Sequence, residues 1–491
     1  MKVLVANRGE IACRVLRTLR EMDVPSIAVF TEPDRDAPHV WLAGEAVGLG
    51  EPRAYLDIPR VLEAVRRTGA THVHPGYGFL SQSAPFARAC RDAGVGFIGP
   101  SPEAMVALGD KRGARATAER IGVPVVPGAS ECDSVEAARA AAERVGWPIL
   151  LKAVGGGGGK GMRLVHRAED LPEAMEAARR EAVAAFDDAR MLVEKYVFPV
   201  RHVEVQILAD GRDAVALGER ECSLQRRYQK VIEEAPSPGI ADSTRQGLFD
   251  SAERLARAVG YQNAGTVEFL VGPDGSHYFL EVNARLQVEH PVTELLTGMD
   301  LVRLQVEVAR GAPLPARIAP RGHAIEARLN AEDPYAGFLP QAGKVLMLEW
   351  PQRPWVRIDS GIRAGSEVST HYDPLLAKLI AWGPDRDAAR RRLLEALRET
   401  TLLGVTTNQG FLSQILESGF FVAGETFTTT LEKHQWPDPP VPAEVSAAAK
   451  RALSVRAPSV AAEAAGAMEG AGSGGDRFSP WAGMGRFRMD A

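Results

Sequence analysis

Between Gly265 and His290 apolar and polar residues alternate on both sides of Asp274-Gly275, reading GTVEFLV and then HYFLEVNARLQVEH. The alternation predicts a β-hairpin with Asp274 and Gly275 at its turn. In that register Phe269 faces Leu280 and Glu268 faces Glu281. Val267, Phe269, Val271, Tyr278, Leu280 and Val282 then form an apolar face, and Thr266, Glu268, Glu281, Asn283 and Arg285 a polar one. Opposed carboxylates on a sheet cost about 0.2–1 kcal/mol unless a cation lies between them. With Asn283 beside them, Glu268 and Glu281 offer a hard, all-oxygen donor set that suits Mg²⁺ or Mn²⁺ rather than zinc. On the hairpin alone, a solvated polar face explains the pattern equally well.

Upstream, the periodicity switches repeatedly between strand and helix. Lys2–Ala6, Ser26–Phe30, Thr71–His74 and Gly96–Ile98 read as strands, and Ile11–Met22, Val61–Val65 and Phe86–Ala93 as helices. This alternation predicts an open parallel α/β sheet over residues 1–110. Further on, a helix starting near Asp110 and helices Ser134–Arg144, Leu171–Ala184 and Ser251–Val259 are expected. Between them lie strands Gly122–Val126, Pro148–Lys152, Met162–Val165, Met191–Lys195 and Arg201–Ala209. Beyond the hairpin, Glu294–Gly311 reads as one helix and Gly322–Leu329, Lys344–Trp350 and Leu375–Ile380 as strands. Asp385–Thr400 reads as an amphipathic helix with Leu393, Leu394 and Leu397 inward. The fold class is therefore α/β, with a mixed C-terminal part. From Pro437 to Gly475 the chain turns to Ala, Pro, Gly, Ser and Glu, the composition of a mobile tail.

A chain of 491 residues with 45% hydrophobic content is expected to form about two to four domains. Its 58 basic and 63 acidic residues give a net charge of −5, which argues against nucleic acid or an anionic membrane as partner. No apolar run reaches membrane-spanning length, so a cytoplasmic protein is expected. Cys13, Cys90, Cys132 and Cys222 are far apart and read as buried thiols rather than a zinc cage or disulfide framework. His72 and His74 share a strand face but have no third ligand nearby, which makes them structural.

Gly155–Gly161, GGGGGKG, has no side chains to pack, and such a run is useful where backbone amides must approach phosphate oxygens. It is not a dinucleotide fingerprint, because a strand follows it instead of a helix. It is not a Walker loop either, since Val154 and Gly161 stand where glycine and Ser/Thr are required. A glycine loop joining two strands over a nucleotide remains. Glu219–Glu234, ERECSLQRRYQKVIEE, is too irregular for a helix face and reads either as solvated charge or as a loop lining an anion pocket.

These stretches carry a resemblance to the biotin carboxylases of the ATP-grasp superfamily over residues 1–432. Its motifs are ANRGEIA at Ala6–Ala12, HPGYGFLS at His74–Ser81, GDK at Gly109–Lys111 and KAVGGGGGKGMR at Lys152–Arg163. They continue with RHVEVQ at Arg201–Gln206, QRRYQK at Gln225–Lys230, EVNARLQVEHPVTE at Glu281–Glu294, RLNAEDP at Arg328–Pro334 and YDPLLAKLI at Tyr372–Ile380. The resemblance implies an N-terminal α/β domain (1–110), an ATP-grasp domain (111–330) with a lid at 130–198, a C-terminal domain (331–432) and a tail (433–491). It implies ATP-dependent carboxylation of biotin by bicarbonate through carboxyphosphate, with biotin as substrate.

Residue by residue, it implies that Lys111, Lys152 and Gly155, Gly156, Gly157, Gly158 and Gly159 bind ATP phosphates. Glu194 and Lys195 are placed at the adenine and His202 and Gln225 at the ribose. Glu268, Glu281 and Asn283 are assigned to Mg²⁺ or Mn²⁺. Lys230, Arg285, Gln287, Val288 and Glu289 are assigned to bicarbonate, with Glu289 as its base, and Arg328 to the biotin enolate. A carrier domain would need a lysine between two methionines, and Ala467-Met468-Glu469 has glutamate there. The expected partners are thus a separate biotin carboxyl carrier protein, carboxyltransferase subunits and a second copy of the chain. Tyr228 stands where histidine is frequent, and Gln82 where an acid is frequent. The first bears on nucleotide affinity; the second is expected to be remote from function. A carbamoyl-phosphate-type or purine-pathway ATP-grasp ligase would lack the NARLQVEHPVTE context, and a non-catalytic scaffold would not need Lys230, Arg285, Glu289 and Arg328 together.

Overall fold

The computed structural model describes residues 1–129, 132–154 and 161–438. The tail beyond 438, Gly155–Gly159 and the Lys111 side chain lie outside the described part. Five parallel strands, β1 (Val3–Val5), β2 (Ser26–Thr31), β3 (Glu45–Gly50), β4 (His72–His74) and β5 (Gly96–Phe97), form the first sheet in the order β3-β2-β1-β4-β5. Strand order reverses beside β1, and open α/β sheets bind ligands at the carboxyl ends of the strands there. The segments leaving β1 and β4 are tied together at that point, where Asn7 Nδ2 donates to the carbonyls of Pro75 (2.7 Å) and Tyr77 (2.6 Å). The expected parallel sheet is present. The additional strand β3, EAVGLG, carries too many small and exposed residues to show a strand pattern.

A smaller antiparallel sheet follows: β6 (Gly128–Ala129), β7 (Ile149–Ala153), β8 (Met162–Val165) and β9 (Met191–Lys195), in the order β6-β9-β7-β8. Helices Val135–Val145 and Leu171–Phe186 bury alanines and aliphatic side chains against it. The expected strand Gly122–Val126 is absent. Pro124 and Pro127 interrupt it, and proline cannot donate to a ladder. Val123 and Val126 are buried without strand pairing, and Val125 makes an isolated bridge to Phe279.

The largest sheet is antiparallel. Strands β10 (Arg201–Asp210), β11 (Ala214–Arg226), β12 (Gln229–Ala235), β13 (Gln262–Val271), β14 (His277–Asn283) and β15 (His323–Asn330) lie in the order β14-β13-β10-β11-β12-β15. Leu375–Gly383 and Val356–Ser360 extend it beyond β15, so the sheet runs continuously through residue 330. Glu219–Glu234 is neither a solvated stretch nor a loop. It is most of the β11–β12 hairpin, turning at Arg227 and Tyr228 with φ of +48° and +65°, two successive left-handed residues as in a type I′ turn. Glu219, Glu221, Glu233 and Glu234 are buried in it with cationic partners brought from elsewhere in the chain: Arg245, Arg201, Arg328, and His323 with Arg386.

The β13–β14 hairpin pairs Glu268 with Glu281 as expected, but Leu280 bulges, and from there Phe269 pairs with Phe279. The bulge sends Phe279, not Leu280 or Tyr278, into the core and turns Leu280 toward the cleft described below. The turn is also longer than two residues, since Gly272 N donates to Ser276 O at 2.8 Å. Glu294–Gly311 is two helices, His290–Thr297 and Leu301–Ala309, separated at Gly298 (φ +71°), with Asp300 capping the second. Lys344–Trp350 is likewise two short strands. Helix Arg386–Glu399 buries Leu393, Leu394 and Leu397 as predicted, and helices Gln409–Glu417 and Gly419–Ala423 complete that core.

Candidate functional site

The three sheets enclose a cleft of about 990 Å³. The first sheet contributes Asn7–Glu10 and Tyr77–Phe79, the small sheet Lys152, Glu194 and Lys195, and the large sheet most of the remaining wall. His202, Gln225, Lys230, Glu268, Glu281, Asn283, Arg285, Gln287, Val288 and Arg328 all line it. Glu289 is fully buried just behind the wall.

At the floor, the Lys230 ammonium donates to three carboxylates: Glu204 Oε2 (2.5 Å), Glu268 Oε1 (3.0 Å) and Glu289 Oε1 (2.6 Å). Glu289 Oε2 accepts from Arg328 Nη2 at 2.8 Å, and Arg328 Nε donates to Glu233 Oε1 at 2.5 Å. Burial would raise the pKa of Glu289, but Lys230, Arg328 and Arg220 hold it well below the usual carboxylate range. Glu268 is held low in the same way, by Lys230 and His202 against burial. The oxygens of Glu204, Glu268 and His202's ring nitrogen converge closely enough for a metal, but the Lys230 ammonium already bonds both carboxylates.

Arg285 is set differently. Its guanidinium donates to Gln82 Oε1 (2.8 Å), Gln287 Oε1 (2.8 Å), Asn283 Oδ1 (3.0 Å) and the Leu286 carbonyl (3.1 Å), all neutral acceptors. These bonds fix the planar fork without neutralising it, which suits an anion. Gln82, expected to be remote, is thus one of its supports. Asn283 Nδ2 and Gln287 Nε2 in turn donate to Glu268 Oε1 at 2.8 and 3.0 Å. Glu268 and Glu281, opposed across β13 and β14, and Asn283 all line the cleft and carry oxygens of the kind a hard divalent cation takes, although Glu268 Oε1 also accepts from Lys230.

Toward the small sheet, Glu194 pairs with Lys152 and, at 3.1 Å, with Arg115. Lys195 Nζ donates to the carbonyls of Gly146 (3.1 Å) and Trp147 (2.9 Å). Gln225 Nε2 and His202 Nδ1 are 2.7 Å apart. His74 is buried against Gln305, and the four cysteines are buried and free, as expected. Among the described residues no helix is long and apolar enough to cross a membrane.

Sequence reasoning missed Arg220. It is completely buried and donates to Glu204 (2.5 Å), Gln206 (2.8 Å), Thr266 (3.2 Å) and Thr293 (2.9 Å). Its partners come from two other strands, β10 and β13, and from helix His290–Thr297, so nothing local marks it. Removing one partner of a buried ion pair costs about 3–5 kcal/mol. Arg220→Met is therefore expected to lower unfolding stability by about that amount in denaturant titrations, and a loss below 1 kcal/mol would contradict the structural role given to it.

A small antiparallel sheet, its β7–β8 connection glycine-rich in sequence, sharing a cleft with a sheet that carries opposed carboxylates and with a parallel α/β sheet, is the arrangement of an ATP-grasp ligase. Three family models match in succession: "Biotin carboxylase, N-terminal domain" at residues 1–105, "Carbamoyl-phosphate synthase L chain, ATP binding domain" at 110–317 and "Biotin carboxylase C-terminal domain" at 326–433. Biotin carboxylase of a Nostoc species is 44% identical, the match covering 88% of this chain and 98% of that one. The mitochondrial methylcrotonoyl-CoA carboxylase subunit alpha of Dictyostelium discoideum is 42% identical over 100% of this chain and 70% of its own. The solved biotin carboxylase domain dimer of Hydrogenobacter thermophilus 2-oxoglutarate carboxylase, in complex with MgADP, ADP and bicarbonate, has a TM-score of 0.85 at 40% identity and covers 89% of this chain and 99% of that one. The chain belongs to the biotin carboxylase family. It is an ATP-dependent ligase of that class, and its relatives include mitochondrial and chloroplastic proteins.

Proposed function

We propose that this chain carboxylates biotin held on a separate carrier protein, using ATP and bicarbonate, as the first half-reaction of an acyl-CoA carboxylase. The observation that carries the reading is Arg285, a guanidinium fixed by four neutral acceptors beside the Lys230–Glu289–Arg328 group. In this reading Arg285, Gln287, Val288 and Lys230 hold bicarbonate, and Glu289 takes its proton. The bicarbonate oxygen then displaces ADP from the γ-phosphoryl group, giving carboxyphosphate, a transfer governed by positioning and charge. The carboxyl group passes from carboxyphosphate to N1′ of biotin as its C–O bond to phosphate breaks, the departing phosphate takes the N1′ proton, and Arg328 neutralises charge developing on the ureido oxygen.

Lys111, Lys152 and Gly155–Gly159 are assigned to the ATP phosphates, Glu194 and Lys195 to the adenine, and His202 and Gln225 to the ribose. Glu268, Glu281 and Asn283 would hold Mg²⁺ or Mn²⁺, which when bound supplies positive charge against the phosphate oxygens. The proposed division is 1–110, 111–330 with a lid at 130–198, and 331–432, followed by the tail. A carboxyltransferase would consume the carboxybiotin, and a homodimer is proposed by analogy with the relative described as a dimer.

The test is the ligand dependence of ATP cleavage. ADP release is expected to need bicarbonate and to rise at least tenfold when free biotin is added. ATP cleavage stimulated by another carboxylate or by ammonia, and not by biotin, would favour another ATP-grasp ligase.

A further inference from the structure

One buried charge group behind the cleft has no part in the steps above. Glu233 on β12 and Glu326 on β15 are direct cross-strand partners, both completely buried. Glu233 Oε1 is bonded to Arg328, but among the described residues Glu233 Oε2 and both oxygens of Glu326 have no hydrogen-bond partner. Two ionised carboxylates paired across neighbouring strands in the protein interior, with three oxygens unpartnered by the described residues, would be strongly unfavourable. One proton shared by the two removes a charge and turns one bare oxygen into a donor for the other carboxylate.

We propose that Glu326 is a positioning residue that holds one proton jointly with Glu233, so that the pair presents a single negative charge to Arg328. This rests on the assignment of Arg328 to the biotin half-reaction. With the proton in place, Glu233 anchors the guanidinium while leaving its other edge able to meet developing negative charge. Without it, two anions stand behind Arg328 and weaken that capacity.

The surrounding groups are consistent with a retained proton. Glu233 faces Arg328 and, beyond it, Glu289 and Lys230; Glu326 faces Lys378 from the adjacent strand Leu375–Gly383 and Arg328 from its own strand. Lys378 is shared with Glu10 (3.3 Å), Asp359 (3.8 Å) and the Val288 carbonyl (2.8 Å), so it is not free to neutralise Glu326. Helix His290–Thr297 packs over these strands, and its buried His290 is held neutral by burial and by Lys378. Burial, with the neighbouring Glu289, raises Glu233 to about 7 despite Arg328, and burial raises Glu326 well above the carboxylate range.

Two measurements on the full chain test this. Infrared difference spectra of wild type minus Glu326→Gln at neutral pH are expected to show the carbonyl stretch of a protonated carboxyl, which does not depend on what Arg328 does. In biotin-dependent turnover, wild type is expected to lose activity on the alkaline side as the proton leaves to solvent, and Glu326→Gln, a permanent mimic of the neutral acid, to move that limb upward by at least one pH unit. Absence of the infrared band, or an alkaline limb unmoved by Glu326→Gln, would overturn the proposal. A band present together with equal loss of both half-reactions in Arg328→Ala would leave the shared proton standing and remove the role assigned to Arg328.

Discussion

Glu289→Gln is expected to lower bicarbonate-dependent ATP cleavage by about 10²–10⁴-fold, the usual contribution of a positioned general base, without unfolding the protein. Glutamine keeps the shape and one acceptor for Lys230, and although its amide NH2 faces Arg328 and some stability is lost, the side chain still fills this buried position. What disappears is the atom able to take a proton. The sign of the pKa shift matters. A carboxylate held well below its ordinary range is already charged at neutral pH, and it is a weak base for as long as Lys230 and Arg328 lie on its two oxygens. Bicarbonate in the Arg285 pocket and the ATP phosphates would draw on the same cations. Basicity at Glu289 then develops as substrates bind. The shift, a property of the free enzyme, predicts that kcat/KM persists to acid pH until substrate groups titrate, not that it fails near the ordinary carboxylate pKa. A Glu289→Gln enzyme within tenfold of wild type at saturating bicarbonate, with an unchanged unfolding midpoint, would remove Glu289 from the role of base.

How far the sequence showed this site depends on which interactions built it. The pairing of Glu268 with Glu281 was legible because a period of two and a turn signal are local properties. The bulge at Leu280 was not, because Tyr278-Phe279-Leu280 is apolar throughout and alternation cannot say which of the three faces the core. Gly122–Val126 failed for the opposite reason: apolar residues can be buried with no ladder around them. Glu219–Glu234 was the largest misreading. A hairpin whose carboxylates are satisfied by Arg201, Arg245, His323, Arg328 and Arg386, all outside it in the chain, has no local signature that separates it from solvated charge. The same long-range pairing hid Arg220, Glu233 and Glu326. Gln82 was misjudged because sequence distance, 203 residues from Arg285, says nothing about proximity at the junction of two sheets. The motif resemblance named the cleft residues but carried no information on how their charges are balanced.

Arg328→Ala is expected to reduce carboxylation of biotin by about 10²–10³-fold, the scale seen when one stabilising donor is removed from a developing oxyanion. Slow bicarbonate-dependent ATP cleavage measured without biotin should fall far less. The asymmetry follows from where the guanidinium sits. It lines the cleft and is bonded to Glu289 and Glu233, whereas Arg285, the group proposed for the bicarbonate, is fixed by Gln82, Asn283 and Gln287 independently of it. Losing Arg328 also releases Glu289 from one of its cations, which raises its basicity and helps the first half-reaction. Glu233 loses its only hydrogen-bond donor among the described residues and, already raised to about 7, takes up a proton rather than remaining a bare buried anion. Some stability is therefore lost above neutral pH, where keeping that proton becomes costly, and little below it. The comparison should be made near pH 6.5, with both assays run on the same preparation. Equal losses in the two assays would place Arg328 in the bicarbonate pocket, and a variant that carboxylates biotin normally would show that the enolate charge is met elsewhere in the cleft.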